Sequence, residues 1–380
     1  MDDLERLLDQ GYDVDLQGGY LVVRQVPYVT SAKAVERGLL IMPAAMAGDQ
    51  LTTPPDHTTH FAGSEPCDAH GQPLTKVING QNPQELMPGL RTDYYFSAKP
   101  AAGNYGSYFE KVTTYVELLS RWARQINPHA TAQTYPTREV GELEDYPFEY
   151  RDSASSRAGV TALSSRFGGM KIAIVGMGGT GSHILDLVAK VPVAEIHLFD
   201  GDVFVNHNAF RAPGAAHLKD LQEQPNKAEY WASRYAHIKR GITPHPTYFE
   251  PATVTDLTGF DFVFLALDDG SDRAGIAAAL EKAHLSFIDV GMGVTNAGSG
   301  LTGMLRVSTS TPSSRADIPT GGTALDEYGQ NIQIGDLNAL NAALAVVQWK
   351  RHLGFYADMT SPTSTFVYPI SDNVITGVTE

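Results

Sequence analysis

Apolar residues between about positions 171 and 290 follow two alternating patterns, short continuous runs and helical spacings. The continuous runs cover 171–175, 195–200, 260–267 and 286–290, and the helical spacings cover 182–190, 227–240 and 272–284. Short apolar runs are typical of buried strands, whereas spacings of three and four are typical of amphipathic helices. Strands that alternate with helices predict parallel strands joined by crossover helices. We therefore expect a doubly wound α/β domain with a mostly parallel sheet.

The first 145 residues follow a different pattern. Apolar runs such as 20–26 and 38–42 are separated by clusters of Pro, Gly and Asp, which is typical of strands and turns. Residues 108–126 place large apolar side chains three and four positions apart, which predicts an amphipathic helix. We expect an N-terminal α+β domain over residues 1–145 with a core of its own.

The remaining segments set the domain boundaries. Residues 146–169 are rich in Arg, Ser, Gly and acidic residues, so we expect a linker or an arm there. The α/β domain then covers 170–360 and closes with a long apolar helix over 336–354, and residues 361–380 form a C-terminal tail. Residues 295–335 are polar and rich in Gly, which favours a long irregular loop. Such a loop either covers a bound substrate or is a surface loop.

Composition restricts the class of protein further. With 380 residues, two domains are the prior expectation, and 42% hydrophobic with 19% charged residues is typical of a globular protein. The net charge of −15 argues against a nucleic-acid surface, which needs clustered Lys and Arg. No apolar run approaches the roughly 18 residues that a membrane-spanning helix needs, and the acidic start is unlike a signal peptide. We therefore expect a cytoplasmic protein that binds neither nucleic acid nor membranes.

The strongest candidate for chemistry is the loop 176–181, Gly-Met-Gly-Gly-Thr-Gly, between the first strand and the first helix of the α/β domain. Gly176, Gly178, Gly179 and Gly181 permit a tight turn and a close approach of the backbone to phosphate, and the helix N-terminus presents unpaired N–H groups to the anion. The alternative is that these glycines serve only the turn from strand to helix. We expect a phosphate-binding site.

The loop alone does not distinguish a dinucleotide from ATP, because Asp200, at the end of the next strand, suits the ribose of either. The residues downstream favour ATP. Attack of a carboxylate on the α-phosphate brings two anions together and requires cations such as Arg211 and Lys227, which hydride transfer does not need. Asp268 follows the third strand, where a carboxylate can hold Mg²⁺, and Asp202 is a second candidate.

In order and spacing, these motifs resemble those of the ThiF/MoeB and ubiquitin-activating enzyme family, which implies a Rossmann-like sheet. The matching residues are the glycine loop with Ser182, then Asp200 and Asp202, Asn208 with Arg211, Lys227, and Asp268 with Arg273. The resemblance covers roughly residues 165–295. Several independent motifs in one order make it specific.

The resemblance implies ATP- and Mg²⁺-dependent adenylation of the C-terminal carboxylate of a ubiquitin-like protein or a peptide, with release of pyrophosphate. This reaction would be the first step of a bacterial ubiquitin-like conjugation or sulfur-transfer pathway. The implied roles are ribose binding for Asp200, phosphate binding for Arg211 and Lys227, phosphate orientation for Asn208 and metal binding for Asp268. Homodimerisation is also implied, with an arginine of an N-terminal arm reaching the ATP of the second copy. The candidates are Arg151, Arg157 and Arg166.

The chain departs from that family's pattern in its cysteines. Cys67 is the single cysteine, so the chain lacks both the two CxxC pairs that hold zinc in many relatives and a thiol after the fourth strand. Three outcomes remain open: the reaction stops at the acyl-adenylate, another protein's thiol receives the acyl group, or Cys67 does.

The surroundings of Cys67 allow several interpretations. His57, His60 and His70 flank it in a polar, turn-rich segment that is compatible with exposure, and a nearby His can lower a thiol pKa. A possible acyl-transfer thiol is therefore one interpretation. The alternatives are a small buried hydrophobic residue and, without a recognisable spacing, a zinc ligand.

Two other functional classes remain open, an NAD(P)-dependent oxidoreductase and a catalytically inactive nucleotide-binding scaffold. The first 145 residues loosely resemble an uncharacterised extension of some bacterial ThiF-like proteins that are encoded with ubiquitin-like partners. They suggest no chemistry by themselves. We expect either recognition of a ubiquitin-like or conjugating-like partner or a purely structural domain.

Overall fold

The computed structural model of the protein describes residues 3–48, 50–137, 146–267, 270–316, 318, 332–357, 364–371 and 375–378. The chain divides into two compact units. The first unit contains Met1–Arg138 and Asp152–Val160, and the second contains Glu139–Arg151 and Thr161–Glu380. None of the helices in the described ranges has the length and apolar composition that a transmembrane span requires.

The first unit is an antiparallel sheet with a long helix. Its helices are α1 (Asp3–Asp9), α2 (Tyr108–Ile126) and α3 (Ser153–Arg157), and its strands are β1 (Val14–Gln17), β2 (Tyr20–Val29), β3 (Val35–Pro43), β4 (Met46–Ala47), β5 (Gln50–Leu51), β6 (Thr58–Ala62), β7 (Ile78–Met87) and β8 (Leu90–Ser97). The sheet order is β1-β2-β3-β6-β8-β7, and β4 pairs with β5. Helix α2 contributes Val112, Tyr115 and Leu119 to the core, where Leu21 and Phe61 of the sheet also lie.

Helix α2 has the bounds that the spacing of apolar residues predicts. It begins after Ser107, whose Oγ accepts a hydrogen bond from the backbone N–H of Glu110 at 3.1 Å. Such a cap satisfies one of the N–H groups that have no partner within a helix. The predicted helix is therefore confirmed.

The second unit carries the α/β pattern. Its helices are α4 (Thr161–Ser164), α5 (Gly179–Val188), α6 (Asn206–Ala209), α7 (Leu218–Glu223), α8 (Lys227–Tyr235), α9 (Gly270–Lys282) and α10 (Gly335–His352), with 3₁₀ turns at Ser165–Phe167 and Pro251–Leu257. Its strands are β9 (Lys171–Val175), β10 (Glu195–Phe199), β11 (Ile242–His245), β12 (Phe262–Leu265), β13 (Phe287–Asn296), β14 (Leu301–Ser310), β15 (Thr365–Pro369) and β16 (Thr376–Val378).

The sheet of the second unit is mostly parallel. Its order is β11-β10-β9-β12-β13-β14-β15-β16. The five strands β9 to β13 run parallel, and β14, β15 and β16 are added antiparallel beside β13. Ile172 and Ile174 of β9 lie in the core that α5 and α10 cover, and Ala173 and Val175 lie in the core that α9 covers. The predicted Rossmann-like, doubly wound α/β fold is confirmed. Its chain order reverses between β9 and β12, the place where ligands bind in such sheets.

One expectation about this sheet is wrong. Within the segment 295–335, expected to be an irregular loop, residues 301–310 form β14, which pairs antiparallel with β13 from Phe287↔Ser310 to Asn296↔Leu301. Only Leu305 and Val307 are large buried apolar residues in β14. Hydrogen bonding to β13 on one side and β15 on the other stabilises this polar strand. Because this stabilisation comes from other strands, the strand has no apolar pattern of its own that would predict it. Residues 317 and 319–331 lie outside the described residues.

Two flanking segments are more ordered than a linker and a tail. Within the expected arm 146–169, Phe148 forms a β-bridge with Lys239, and Phe167 packs on Trp349 with ring centroids 4.9 Å apart. Within the expected tail 361–380, residues of β15 and β16 extend the sheet. Both segments therefore contribute packing or hydrogen bonds to the second unit.

The bridge at Phe148 brings Lys239 into the interior of the second unit. Lys239 is 1% exposed, and its ammonium donates to the carbonyl oxygens of Pro147 at 3.0 Å and Val193 at 2.6 Å. Burial disfavours the charged form and lowers the pKa of Lys239 to about 8. Lys239 thus fastens the 146–151 segment to the sheet at an electrostatic cost.

We predict that this lysine makes stability depend on pH above 8. Between the folded pKa of about 8 and the ordinary value of 10.5, the unfolded chain holds a proton that the folded protein has released. Stability therefore rises with pH in this window, by up to about 3 kcal/mol at 1.36 kcal/mol for each pKa unit. Urea unfolding of the wild type and of Lys239→Met across pH 7.5 to 10 measures this rise in the free energy of unfolding, which should be absent in the variant. Lys190→Met, at a lysine 52% exposed, is the control, and an equal pH slope in wild type and Lys239→Met would contradict the prediction.

Candidate nucleotide-binding site

The glycine loop 176–181 joins the carboxyl end of β9 to α5 by folding back on itself. Gly176 has a φ of +90°, and a Cβ there would overlap the carbonyl oxygen of Ala266 at the end of β12. A Cβ at Gly181 would overlap the carbonyl oxygen of Gly176. Both positions therefore require glycine for the turn itself.

The other two glycines face different surroundings. A Cβ at Gly179 would lie 2.5 Å from Nδ2 of Asn338, which is fully buried in α10 and accepts a 2.7 Å hydrogen bond from Thr180 Oγ1. By contrast, among the described residues no heavy atom beyond the chain neighbours lies within 4 Å of a Cβ placed at Gly178, the N-cap of α5. The space in front of the helix N-terminus is therefore open at Gly178, where N–H groups and the helix dipole favour an anion.

Asp200 connects the end of β10 to this loop. Its carboxylate accepts hydrogen bonds from the backbone N–H of Met177 at 2.7 Å and of Asp202 at 2.8 Å. Only 9% of the side chain is exposed, and burial raises its pKa. The acid is thus held in place beside the glycine loop.

Lys227, the first residue of α8, is engaged by two carboxylates. Its ammonium lies 2.7 Å from Asp202 Oδ2 and 3.9 Å from Asp200 Oδ1, and its side chain is 10% exposed. The hydrogen bond from Lys227 is the main cause that lowers the pKa of Asp202. The structure therefore brings the predicted Asp200, Asp202 and Lys227 together.

Asn226 completes this cluster and is absent from the sequence-based candidates. Its Nδ2 donates to the backbone oxygens of Asp200 at 2.9 Å and Asp202 at 3.0 Å, while its Oδ1 accepts from the N–H groups of Ala228 and Glu229. It is the N-cap of α8 and ties that helix to the end of β10. An Asn directly before a helix is a capping signal, but the sequence does not show that its Nδ2 also bonds the backbone at Asp200 and Asp202.

Asn208 and Arg211, on α6 and the turn after it, each carry a buried donor without an acceptor in the described residues. Asn208 is 4% exposed; its Oδ1 accepts from Val205 N at 2.9 Å, but its Nδ2 has no partner. The Nε of Arg211 is likewise buried and unpartnered. The imidazole of His183, in the second turn of α5, bonds the Arg211 backbone carbonyl. The two donors therefore lie in a segment that is fastened to the helix of the glycine loop.

Unpartnered buried donors are costly. Each such group forgoes its hydrogen bonds to water, at roughly 1–3 kcal/mol, and an anionic ligand would satisfy it. Two such donors lie on the predicted phosphate-binding motif, where phosphate oxygens could accept from both.

The predicted metal ligand, Asp268, lies with Asp269 outside the described residues. Nearby, sequence reasoning missed Asp289, which pairs in register with Leu265 at the end of β12 and is fully buried. Its Oδ2 accepts from Arg306 Nη2 at 2.7 Å, and its Oδ1 lies 3.2 Å from Arg273 Nε without the alignment of a hydrogen bond. Arg273 is thus engaged in an ion pair with Asp289. In the described ranges, His, Cys, Asp and Glu side chains form no group of three or more suited to a metal ion.

Cys67 is buried, which agrees with its interpretation as a small buried hydrophobic residue and not with that of an exposed thiol. It is 1% exposed, its N–H donates to the Val29 carbonyl at 2.7 Å, and its Sγ lies 3.5 Å from the Glu65 oxygen. Burial, followed by the charges of Glu65 and Asp68, raises the thiol pKa. A high pKa disfavours the thiolate that nucleophilic transfer needs, so the geometry gives no support to the acyl-transfer prediction.

The candidate arm arginines differ in what surrounds them. Arg166 Nη1 donates to the backbone oxygens of Leu353 at 3.3 Å and Gly354 at 2.9 Å, just beyond the end of α10. Arg151 also has an interaction within the chain, and the side chain of Arg157 is outside the described residues. An arm arginine that reaches a second copy stays a prediction.

The arrangement of loop, acid and basic residues agrees with a comparison of the sequence with protein families. The ThiF family matches residues 156–352, just over half of the chain. The chain belongs to the ThiF family. Residues 2–153 match a domain of unknown function, DUF6791. Among curated proteins, none matches the chain.

Solved structures match parts of this chain at low identity. E. coli MccB with succinimide has a TM-score of 0.48 and 16% identity, covering 57% of this chain and 65% of MccB. PaaA has a TM-score of 0.44 and 16% identity, covering 57% of this chain and 74% of PaaA. The E. coli tRNA threonylcarbamoyladenosine dehydratase TcdA has a TM-score of 0.41 and 16% identity, covering 53% and 92%. The chain thus spans 65% of the length of MccB.

Proposed function

We propose that this ThiF-family protein is an ATP-dependent adenylating enzyme that activates a carboxylate. The observation that carries the proposal is a pair of buried donors, Asn208 Nδ2 and Arg211 Nε, that find no acceptor among the described residues and lie on a segment fastened to α5. A phosphate supplies the acceptors that both groups lack. Membership of the ThiF family supports the same activity.

ATP fits the residues around the glycine loop. Its phosphates would lie at the N-terminus of α5, in the open space at Gly178. Its ribose would contact Asp200, whose two oxygens each accept one backbone N–H and keep lone pairs for hydroxyl groups. The loop and the two donors together match the phosphates of a nucleotide, and the acid matches its ribose.

The residues have distinct roles in the proposed reaction. A substrate carboxylate attacks the α-phosphate, an acyl-adenylate forms, and pyrophosphate leaves. Arg211 offsets the charge that gathers on the phosphates, and Asn208 orients them. Lys227 is already bound to Asp202 and Asp200, so its first role is to hold the two acids, and it reaches phosphate only if Asp202 releases it. Mg²⁺, held by Asp268 as the family resemblance implies, would neutralise phosphate charge.

The proposed substrate is the C-terminal carboxylate of a ubiquitin-like protein or a peptide. This finer assignment rests on the resemblance to ubiquitin-activating enzymes and on the presence of a separate N-terminal unit, for which we propose partner recognition. Because Cys67 is buried with a raised pKa, we propose that the acyl-adenylate is the end product in this chain or passes to another protein's thiol. Homodimerisation is part of the same proposal.

Exchange of pyrophosphate into ATP that depends on a ubiquitin-like protein or peptide tests the activity. We expect exchange with a suitable C-terminal carboxylate, its loss when the carboxylate is amidated, and its loss in Asp268→Ala. Asp256→Ala, an exposed acid in a 3₁₀ turn, is the control for loss of one charge. Binding of NAD(P) instead of ATP would favour an oxidoreductase, and ATP binding without exchange for any substrate would favour an inactive scaffold.

A further inference from the structure

Tyr248, in the loop after β11, is an exposed aromatic residue that is nevertheless held in place. The residue is 65% exposed, and its hydroxyl donates a hydrogen bond to Asp202 Oδ1 at 2.8 Å. The other oxygen of Asp202 accepts from Lys227 at 2.7 Å. The Tyr248 ring also lies so close to Gly201 that a Cβ at Gly201 would be 2.7 Å from Cδ2 of the ring. The ring is thus anchored at its hydroxyl and supported along its edge, while much of its surface faces solvent.

The order of strands places this ring relative to the nucleotide. β9, β10 and β11 are parallel neighbours, so their carboxyl ends lie at one edge of the sheet. The glycine loop follows β9, Asp200 follows β10, and Tyr248 follows β11 by three residues. The N–H of Asp200 donates to the His245 carbonyl at 3.3 Å, which joins the last two segments directly. A nucleotide with phosphates at the loop and ribose at Asp200 therefore directs its base toward the loop of Tyr248.

We propose that Tyr248 forms one wall of a nucleobase subsite, on which the adenine of ATP stacks. This inference rests on the proposed function, because it assumes that phosphate and ribose occupy the glycine loop and Asp200. An aromatic wall binds any base through its π-face and favours a purine over a pyrimidine because a purine offers the larger stacking surface. The hydrogen bond to Asp202 raises the pKa of Tyr248, so the ring stays neutral at physiological pH.

The arrangement also links base recognition to the acids. Asp202 is held between Tyr248 and Lys227, and Lys227 lies 3.9 Å from Asp200. Stacking on the ring would therefore favour the conformation in which Asp200 and Lys227 are in place. Gly201 is required because any side chain there would displace the ring.

Calorimetric titration of the full-length protein with ATP, CTP and inorganic tripolyphosphate tests the subsite. In Tyr248→Ala we expect ATP affinity to fall about 10-fold, CTP affinity to fall less, and tripolyphosphate affinity to remain unchanged. Tyr248→Phe keeps the ring and should retain most of the affinity for ATP. Tyr356→Ala, a tyrosine 41% exposed beyond the end of α10, is the matched control and should bind all three ligands normally.

Two results would overturn the subsite while leaving the proposed function intact. One is ATP binding that is equal in Tyr248→Ala and the wild type. The other is an equal loss for ATP and tripolyphosphate in Tyr248→Ala, since that result shows general damage to the loop rather than loss of a base contact. If the wild-type protein bound no ATP, the proposed function would fail, and the nucleobase subsite with it.

Discussion

Gly178→Ala should lower pyrophosphate exchange by about 100-fold in a protein that folds normally. A methyl group at this position meets no heavy atom of the described residues within 4 Å apart from its chain neighbours, so the substitution should leave the free energy of unfolding nearly unchanged. The same methyl group projects into the space at the N-terminus of α5 where we place the phosphates. A displacement of about 1 Å in the reacting groups is enough for a loss of this size. Exchange kinetics and thermal unfolding on the same preparation measure both effects.

Gly300→Ala is the matched control for this substitution. In the described part of the chain, no heavy atom beyond the neighbouring residues lies within 4 Å of a Cβ placed at Gly300, which lies in the turn between β13 and β14. It should leave both exchange and stability unchanged. If Gly178→Ala exchanged pyrophosphate at the wild-type rate, the phosphates could not lie at the N-terminus of α5. Gly181→Ala provides a contrast, because its Cβ would overlap the Gly176 carbonyl and should disturb the loop itself.

Arg211→Met should lower exchange by about 100- to 1,000-fold and leave stability unchanged or slightly higher. The loss of activity follows from removing a cation that offsets charge on the phosphates. The stability prediction has the opposite sign to that for an ordinary buried arginine, because Nε of Arg211 has no acceptor in the described residues. Removing an unsatisfied donor removes its desolvation cost. Exchange rates and thermal midpoints without nucleotide measure the two effects.

Adding ATP sharpens this experiment. ATP should raise the thermal midpoint of the wild type more than that of Arg211→Met, because ligand binding stabilises the folded state in proportion to affinity. Arg234→Met is the control. Arg234 lies on α8, its side chain is 38% exposed, and it donates to the Ala215 carbonyl. A variant at Arg211 that unfolds more easily than this control and still exchanges pyrophosphate would show that Arg211 is structural.

Local sequence was sufficient for the parts of the site that one short segment forms. The strand β9, the glycine loop and α5 follow each other within eighteen residues, and their pattern of apolar residues and glycines predicts all three. The steric reasons for Gly176 and Gly181 lie largely within the same loop, although Gly176 also meets Ala266. Alternating strands and helices predict the parallel sheet for a similar reason, since few connections between such elements are possible.

Contacts between distant residues were beyond the reach of the sequence. Asn226 bonds the backbone at Asp200, and Asn338 lies against Gly179 although 159 positions separate them in the chain. The polar strand β14 has no apolar run of its own and is recognised only by its partners β13 and β15. The sequence left open whether Cys67 is an exposed thiol or a small buried residue, and only the fold places this side chain in the interior.

The sequence by itself therefore determined the α/β fold, the ThiF resemblance and the identity of the charged residues at the carboxyl edge of the sheet. Only the tertiary structure decided how those charges are used. Lys227 is paired with Asp202 and Asp200, whereas Arg211 and Asn208 each keep a buried donor that has no acceptor in the part of the chain that the structure describes. The physical reason is that hydrogen bonds and ion pairs depend on the distances between side chains of separate elements. The packing of β10, α6 and α8 sets these distances, and no local sequence pattern predicts them.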